Sequence, residues 1–305
     1  MNITFRQLQL FLALAEHGSI SAAARACHVT QPTVSMQLRE LAENVGLPLY
    51  EVIRKRVFLT EAGRLLQQSA QVMQKELEVF GQRIDQLRGL QRGRLRVAVV
   101  STAKYFVPNL LGAFCHRYPD VDVSLSILNR DGVLQRLRSN EDDLYVMSNP
   151  PQDMDVTTEA FLPNPLVVVV HINHPLASSQ QIPLDTLMGE RFILREQGSG
   201  TRRACDRHFA ALGLQPNIRM ELGSNEAIKH SVAANLGVSV LSRHTLHSDP
   251  AVDGLAVLDV VGFPVESNWY IVQPCGKLLP PIAAEFLQHL REHVGTLPRI
   301  NGVDT

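Results

Sequence analysis

Gln31, Thr33, Ser35, Met36 and Arg39 stand close together, and an amide, two hydroxyls and a guanidinium at that spacing have the chemistry to hydrogen-bond base edges and phosphates. Thr30 is a helix cap, and Pro32 then falls in the first turn, where a missing N–H costs little. Val34, Leu38, Leu41 and Val45 step by four, three and four along one side, which leaves the polar set on the other. Upstream, Thr4 and Gln7 have the spacing of a capping box, and Leu8, Phe11, Leu12 and Ala15 follow at helical intervals until Gly18. Ser21 is the candidate cap of a second helix, Ala22–Ala26, joined to the third by Cys27-His28-Val29. This arrangement suits a helix-turn-helix in a major groove, although on pattern alone a helical hairpin with no DNA partner reads equally well. Apolar residues alternating from Pro48 to Leu59 around Arg54-Lys55-Arg56 favour the first reading, because they predict a two-stranded wing with a basic tip against a phosphate backbone.

A second set of residues suits anion chemistry. Ser101-Thr102-Ala103-Lys104, following a predicted strand, offers hydroxyls, free N–H groups and a cation. Gly198-Ser199-Gly200-Thr201-Arg202 precedes another predicted helix, where mobile backbone, two hydroxyls and an arginine suit a carboxylate or phosphate. Asn225-Glu226 opens a third helix, and Arg130 is a further candidate cation. Each start alone is explained by ordinary capping; three at one edge of a sheet define a candidate anion site carried by Lys104, Arg130 and Arg202.

Two kinds of element must hold these groups. After Thr60, the positions Leu66, Ala70, Met73, Leu77, Phe80, Ile84 and Leu87 alternate steps of four and three, an apolar seam over three heptads that predicts pairing with a second copy. Gly89 and Gly93 are expected to end this helix. From Leu95 short aliphatic strands alternate with helices, which predicts an α/β body with a parallel sheet. Trp269–Val272 and a last helix, Pro281–Val294, are expected to return to the first sheet. The chain therefore divides into a head at 1–60, a linking helix and hinge at 61–92, and a two-lobed body at 93–305, with lobe I at 93–163 and 267–305 and lobe II at 164–266.

At 305 residues, 45% hydrophobic and 19% charged, the composition is that of an ordinary folded protein of about two domains. Its net charge of −1 hides an asymmetry: residues 1–94 hold 12 Lys+Arg against 8 Asp+Glu, a basic front on an acidic body. No secretory signal or membrane span is expected, so the chain reads as cytoplasmic. The four cysteines lack metal-ligand spacing and are expected to be free, mostly buried thiols, with no metal site.

Phe5-Arg6-Gln7-Leu8, Gly18-Ser19, Ala22-Ala23-Ala24, Gln31-Pro32-Thr33-Val34-Ser35 and Leu59-Thr60-Glu61-Ala62-Gly63 resemble, in order and spacing, the LysR-type transcriptional regulators. The resemblance implies a winged helix-turn-helix head, a long linker helix and an effector domain like the periplasmic binding proteins. It implies Gln31, Pro32 and Ser35 against bases, and Thr33, Arg39, Arg54 and Arg56 on the DNA backbone. Val52 departs from the arginine common in the family, so no contact is placed there. In the body, Ser101–Phe106, Asn140–Leu144, Asn164–Val168 and Arg195–Arg202 resemble the regulators of RuBisCO and carbon-fixation operons, with Gln197 replacing an expected proline. That resemblance implies promoter DNA and RNA polymerase as partners, and a tetramer built as a dimer of dimers. It further implies no resident cofactor but an anionic effector such as a phosphorylated metabolite or NADPH.

Three other readings remain to be separated: a LysR-type regulator of another metabolic operon, an enzyme using the cleft, and a solute-binding protein. His171, His174, Asp153 and Asp155 belong to no nucleophile elbow, metal spacing or phosphate loop, so no catalytic residue is expected.

Overall fold

The computed structural model describes residues 2–54, 56–87 and 92–293. The chain forms two compact units, Met1–Ile84 and Asp85–Thr305.

In the first unit α1 (Phe5–His17), α2 (Ile20–Ala26) and α3 (Gln31–Val45) pack around Leu10, Phe11, Leu14, Val34, Leu38 and Leu41. Thr4 caps α1 through a complete capping box, and Gly18 ends it in the left-handed conformation. The cap of α2 is Ser19, not Ser21: Ser19 is extended just after the Gly18 turn and its hydroxyl accepts from the Ala22 N–H, so Ser21 falls inside the first turn. Thr30 caps α3 ahead of Pro32. Strands β1 (Tyr50–Ile53) and β2 (Arg56–Leu59) pair antiparallel, with Arg54 left-handed between them; Lys55 lies outside the described residues.

Helix α4 (Glu61–Leu87) begins under the wing. Gly63 is required there, because a Cβ would stand 1.9 Å from the Leu49 carbonyl oxygen. Along the predicted seam Ala70 is buried, whereas Met73, Leu77 and Phe80 are each more than half exposed. Gly89 lies outside the described residues, and Gly93 opens a strand instead of ending the helix.

The second unit has two lobes. Lobe I contains β3 (Gly93–Val100), α5 (Val107–Arg117), β4 (Val121–Leu128), α6 (Arg130–Arg138), β5 (Leu144–Met147) and β6 (Val156–Pro163). The chain then builds lobe II from β7 (Leu166–His171), α7 (Leu184–Leu187), β8 (Arg191–Arg195), α8 (Gly200–Ala211), β9 (Asn217–Leu222), α9 (Asn225–Ala233), β10 (Ser239–Ser242) and β11 (Leu255–Val257). It returns to lobe I as β12 (Asn268–Pro274) and α10 (Pro281–His293); Val294, expected to end that helix, is outside the described residues.

The sheets are mixed, which corrects the expectation of a parallel sheet. In lobe I the order is β4-β3-β5-β12-β6, with β3 parallel to β4 and β5 but β12 antiparallel to β5 and β6. The cause is the crossover: β6 ends, and β12 begins, where the chain passes between lobes, so the two must run oppositely. In lobe II β10 and β11 flank β7 antiparallel, while β8 and β9 pair in parallel and join the rest through the Ile193 N–H and Val238 carbonyl.

Trp269, Tyr145, Phe114 and Phe286 fill the core of lobe I, and Phe192, Phe209 and Leu258 that of lobe II. The two crossing segments are bonded to each other, Asn164 N–H to Ser267 O at 2.8 Å and Leu166 N–H to Val265 O at 3.0 Å. All four cysteines are free, but only Cys205 is buried; Cys27 and Cys115 are half-buried and Cys275 is exposed. Among the described residues no helix is long and apolar enough to cross a membrane, and no group of His, Cys, Asp or Glu is placed to hold a metal ion.

Candidate functional site

The first candidate surface is the outer side of α3. Gln31, Pro32, Met36 and Arg39 are exposed, while Thr33 and Ser35 are half-buried. The Ser21 hydroxyl donates to Gln31 Oε1 at 2.9 Å, so a residue of α2 fixes the amide and leaves its two N–H donors outward. Thr33 is less open than its type promised, because its hydroxyl lies 2.8 Å from that of Thr30 at the cap. Arg39 has no ion-pair partner among the described residues. Arg54 and Arg56 are exposed at the wing turn. Exposed cations on α3 and the wing, with amide donors on α3, can take phosphate oxygens and base edges.

The second candidate site lies at the seam between the lobes. Ser101–Tyr105 forms a tight 3-10 turn between β3 and α5 instead of the first turn of an α-helix. Ala103 is fully buried and offers only backbone. Thr102, Ser199, Thr201, Arg202 and Asn225 are buried as well. Lobe II comes so close to α6 that a Cβ on Gly198, whose φ is +85°, would stand 2.5 Å from Asp131 Oδ2, and one on Gly200 would stand 3.0 Å from Ser148 Oγ. Ser199 precedes α8 without a side-chain cap bond, so the first-turn N–H groups of that helix lack the usual satisfaction.

The cations are placed differently from expectation. Arg202 does not stand open: its guanidinium bonds Asp206 at 2.9 Å, Glu221 at 2.5 Å and the Arg195 carbonyl at 2.9 Å. Burial works against its charge, but the two carboxylates outweigh that and raise its pKa. Arg130 is buried, donates to the Asn149 carbonyl at 2.8 Å and, among the described residues, has as its ion-pair partner only the distant Asp131 carboxylate, at 3.9 Å. Burial, with Arg203 nearby, lowers its pKa. Lys104 is held by Glu226 at 2.9 Å, so Glu226 is an anion facing the expected cation.

The residue that sequence reasoning missed is Arg195. Its side chain is 1% exposed, it pairs with Glu196 at 2.8 Å, and it donates to Asn225 Oδ1 at 2.8 Å and to Ser101 Oγ of lobe I at 3.1 Å. Asn225 in turn donates to Thr102 Oγ1 at 3.3 Å. In the chain Arg195-Glu196 looks like any solvated charge pair; only the fold puts it at the seam. Beside the seam, next to the crossing segments, lies a cavity of about 870 Å3 lined by Ser148, Asn149, Gln152, Arg207, Asn268 and Tyr270.

Residues 5–64 match the profile of the bacterial regulatory helix-turn-helix proteins of the lysR family, and residues 88–295 that of the LysR substrate binding domain. The chain is 47% identical to a RuBisCO operon transcriptional regulator of Acidithiobacillus ferrooxidans, over 94% of this chain and 93% of that one. The regulatory domain of CcmR from Synechocystis PCC6803, solved in complex with 2-PG, is 46% identical and superposes with a TM-score of 0.65, covering 68% of this chain and all of that one. Full-length CbnR, solved in complex with its target DNA, is 26% identical with a TM-score of 0.68, over 95% of this chain and 99% of that one.

Proposed function

Because the chain belongs to the LysR family of bacterial helix-turn-helix regulators, we propose that it controls a RuBisCO operon in answer to an anionic metabolite bound between its lobes. It is a DNA-binding transcriptional regulator and not an enzyme. The observation that carries the choice of target is the 47% identity to a RuBisCO operon regulator across nearly the whole of both chains.

In this reading α3 enters the major groove with Gln31, Pro32 and Ser35 against bases, while Thr33, Arg39, Arg54 and Arg56 meet the backbone. The outward Gln31 donors and the free Arg39 support it. The exposed Met73, Leu77 and Phe80 of α4 support pairing of two copies, which sets two heads on paired half-sites and roughly adds their binding free energies. A dimer of such dimers in the cytoplasm, in contact with RNA polymerase, completes the assembly.

For the effector, the uncapped start of α8, the hydroxyls of Ser101, Thr102, Ser199 and Thr201, the Gly200 backbone and Asn225 support an anion site with Lys104 and Arg130 as its cations. The 2-PG complex of the CcmR domain supports a phosphorylated ligand. The ligand acts on transcription only by binding one arrangement of the lobes better than another.

A gel-shift titration tests the function. The full-length protein should retard its RuBisCO-operon promoter fragment at concentrations that leave a shuffled fragment untouched, and 2-PG should change the footprint. Equal retardation of both fragments overturns the assignment.

A further inference from the structure

Each cation at the seam except Arg130 already has a close carboxylate, and the pairs are not equivalent. Arg195 is paired with Glu196, its neighbour in the chain, and Arg202 with Asp206 and Glu221, all within lobe II. Displacing either would strand a nearly inaccessible guanidinium without moving one lobe against the other. The pair of Lys104 with Glu226 is different. Lys104 belongs to lobe I and Glu226 to the first turn of α9 in lobe II, and among the described ion pairs this one alone joins the lobes. Both side chains are open enough to part, at 33% and 40% exposed.

Glu226 is held as a bound anion would be. Its Oε2 accepts from Lys104 Nζ at 2.9 Å and from Ser224 Oγ at 3.1 Å, and its Oε1 accepts from the Tyr105 hydroxyl at 2.5 Å. Lys104 and Lys229, the latter also 3.6 Å from Asp253, flank the Tyr105 ring at 5.4 and 5.6 Å. An ammonium, a phenol and a serine hydroxyl converging on two oxygens form a cradle for a carboxylate or a phosphoryl group.

We propose that Glu226 is a resident carboxylate that competes with the effector for Lys104 and Tyr105, so that binding exchanges Glu226 for the ligand's anionic group and releases the ion pair between the lobes. This rests on the reading of the seam as an anion site. It has a chemical corollary: a ligand bearing one carboxylate gains little by replacing another, whereas a phosphoryl dianion brings more charge and more acceptor oxygens to the same donors. Glu226 is then the residue that makes the site select phosphorylated anions over simple carboxylates.

The test is calorimetric titration of the full-length wild type, E226Q and Y105F with 2-PG, glycolate and glycerol. Gln keeps the volume and removes the charge, so E226Q should bind 2-PG about tenfold tighter, the worth of one charge-assisted hydrogen bond no longer surrendered. Its preference for 2-PG over glycolate should narrow, and glycerol should gain nothing. Y105F, which takes one donor from Glu226 and from the effector's anionic group alike, should also discriminate less between 2-PG and glycolate. If wild type binds 2-PG but E226Q binds it equally or more weakly with the same preference over glycolate, Glu226 does not compete and this inference falls while the anion site stands. If neither protein binds any anion at all, the anion site itself falls and takes the inference with it. Thermal melts of all three proteins establish that each is folded.

Discussion

At Gln31 the amide oxygen is already steadied by Ser21, so the N–H pair is presented at little entropic cost. Replacing Gln31 with Ala should lower discrimination between operator and random DNA by about 1–3 kcal/mol in competition gel shifts, with folding unchanged. Thr102 accepts the Asn225 amide across the seam, so Thr102→Val strands a buried donor. A loss of about 1 kcal/mol in urea unfolding is expected, with the 2-PG response abolished and basal DNA binding spared. Glu226 supplies a pH dependence. Burial opposes its charge, but hydrogen bonds from Lys104 and Tyr105 override this and hold its pKa at about 2, below the ordinary carboxylate value. Because the folded value is the lower one, the link between lobes is fully present above about pH 4.5 and is lost as the pH falls toward 2. Melting temperature should decline more steeply over that window in wild type than in E226Q. Of the residues read from sequence, the hydroxyls and Asn225 reach the seam, because strand ends and helix starts converge there in any such fold. Arg202 reads as an open cation in the sequence because only the fold brings Glu221 of a neighbouring strand, beside Asp206 one turn along the helix, onto its guanidinium.

Among the elements, α4 was the most legible, since a heptad seam is written directly in the apolar spacing. Its exposed side yields a prediction: Leu77→Glu with Phe80→Glu should lower the mass of the assembly in sedimentation velocity, as each buried side chain is worth about 1.5–3 kcal/mol. Unchanged mass would place the subunit contact elsewhere. Strands β6 and β11 were not legible. β6 carries Thr157, Thr158 and Glu159 on a half-exposed run, and β11 is three residues long, so neither shows the alternation that marks a half-buried strand. The α2 boundary slipped because Ser19 and Ser21 are both good caps, and only the left-handed turn at Gly18 selects the earlier one.

For the whole molecule, two heads acting together make DNA affinity a steep function of salt. Removing one phosphate contact per head with Arg54→Ala should reduce the slope of log K against log salt by about 0.9 for each head, equally on specific and random DNA. An unchanged slope would take the wing tip off the phosphates. The charge asymmetry seen in the sequence belongs at this scale, because it concerns encounter with a polyanion and says nothing of fold. The bonded pair of crossing segments has a last consequence. The chain leaves lobe I at Pro163 and re-enters it at Asn268, with Asn164 and Ser267 hydrogen-bonded to each other, so lobe II sits inside lobe I as a parenthesis sits inside a sentence. A two- or three-residue bridge from Pro163 to Asn268 therefore closes the outer module without stretching it. Evolution, or an engineer, can exchange the inner module for another ligand reader while the outer sheet stays as it is.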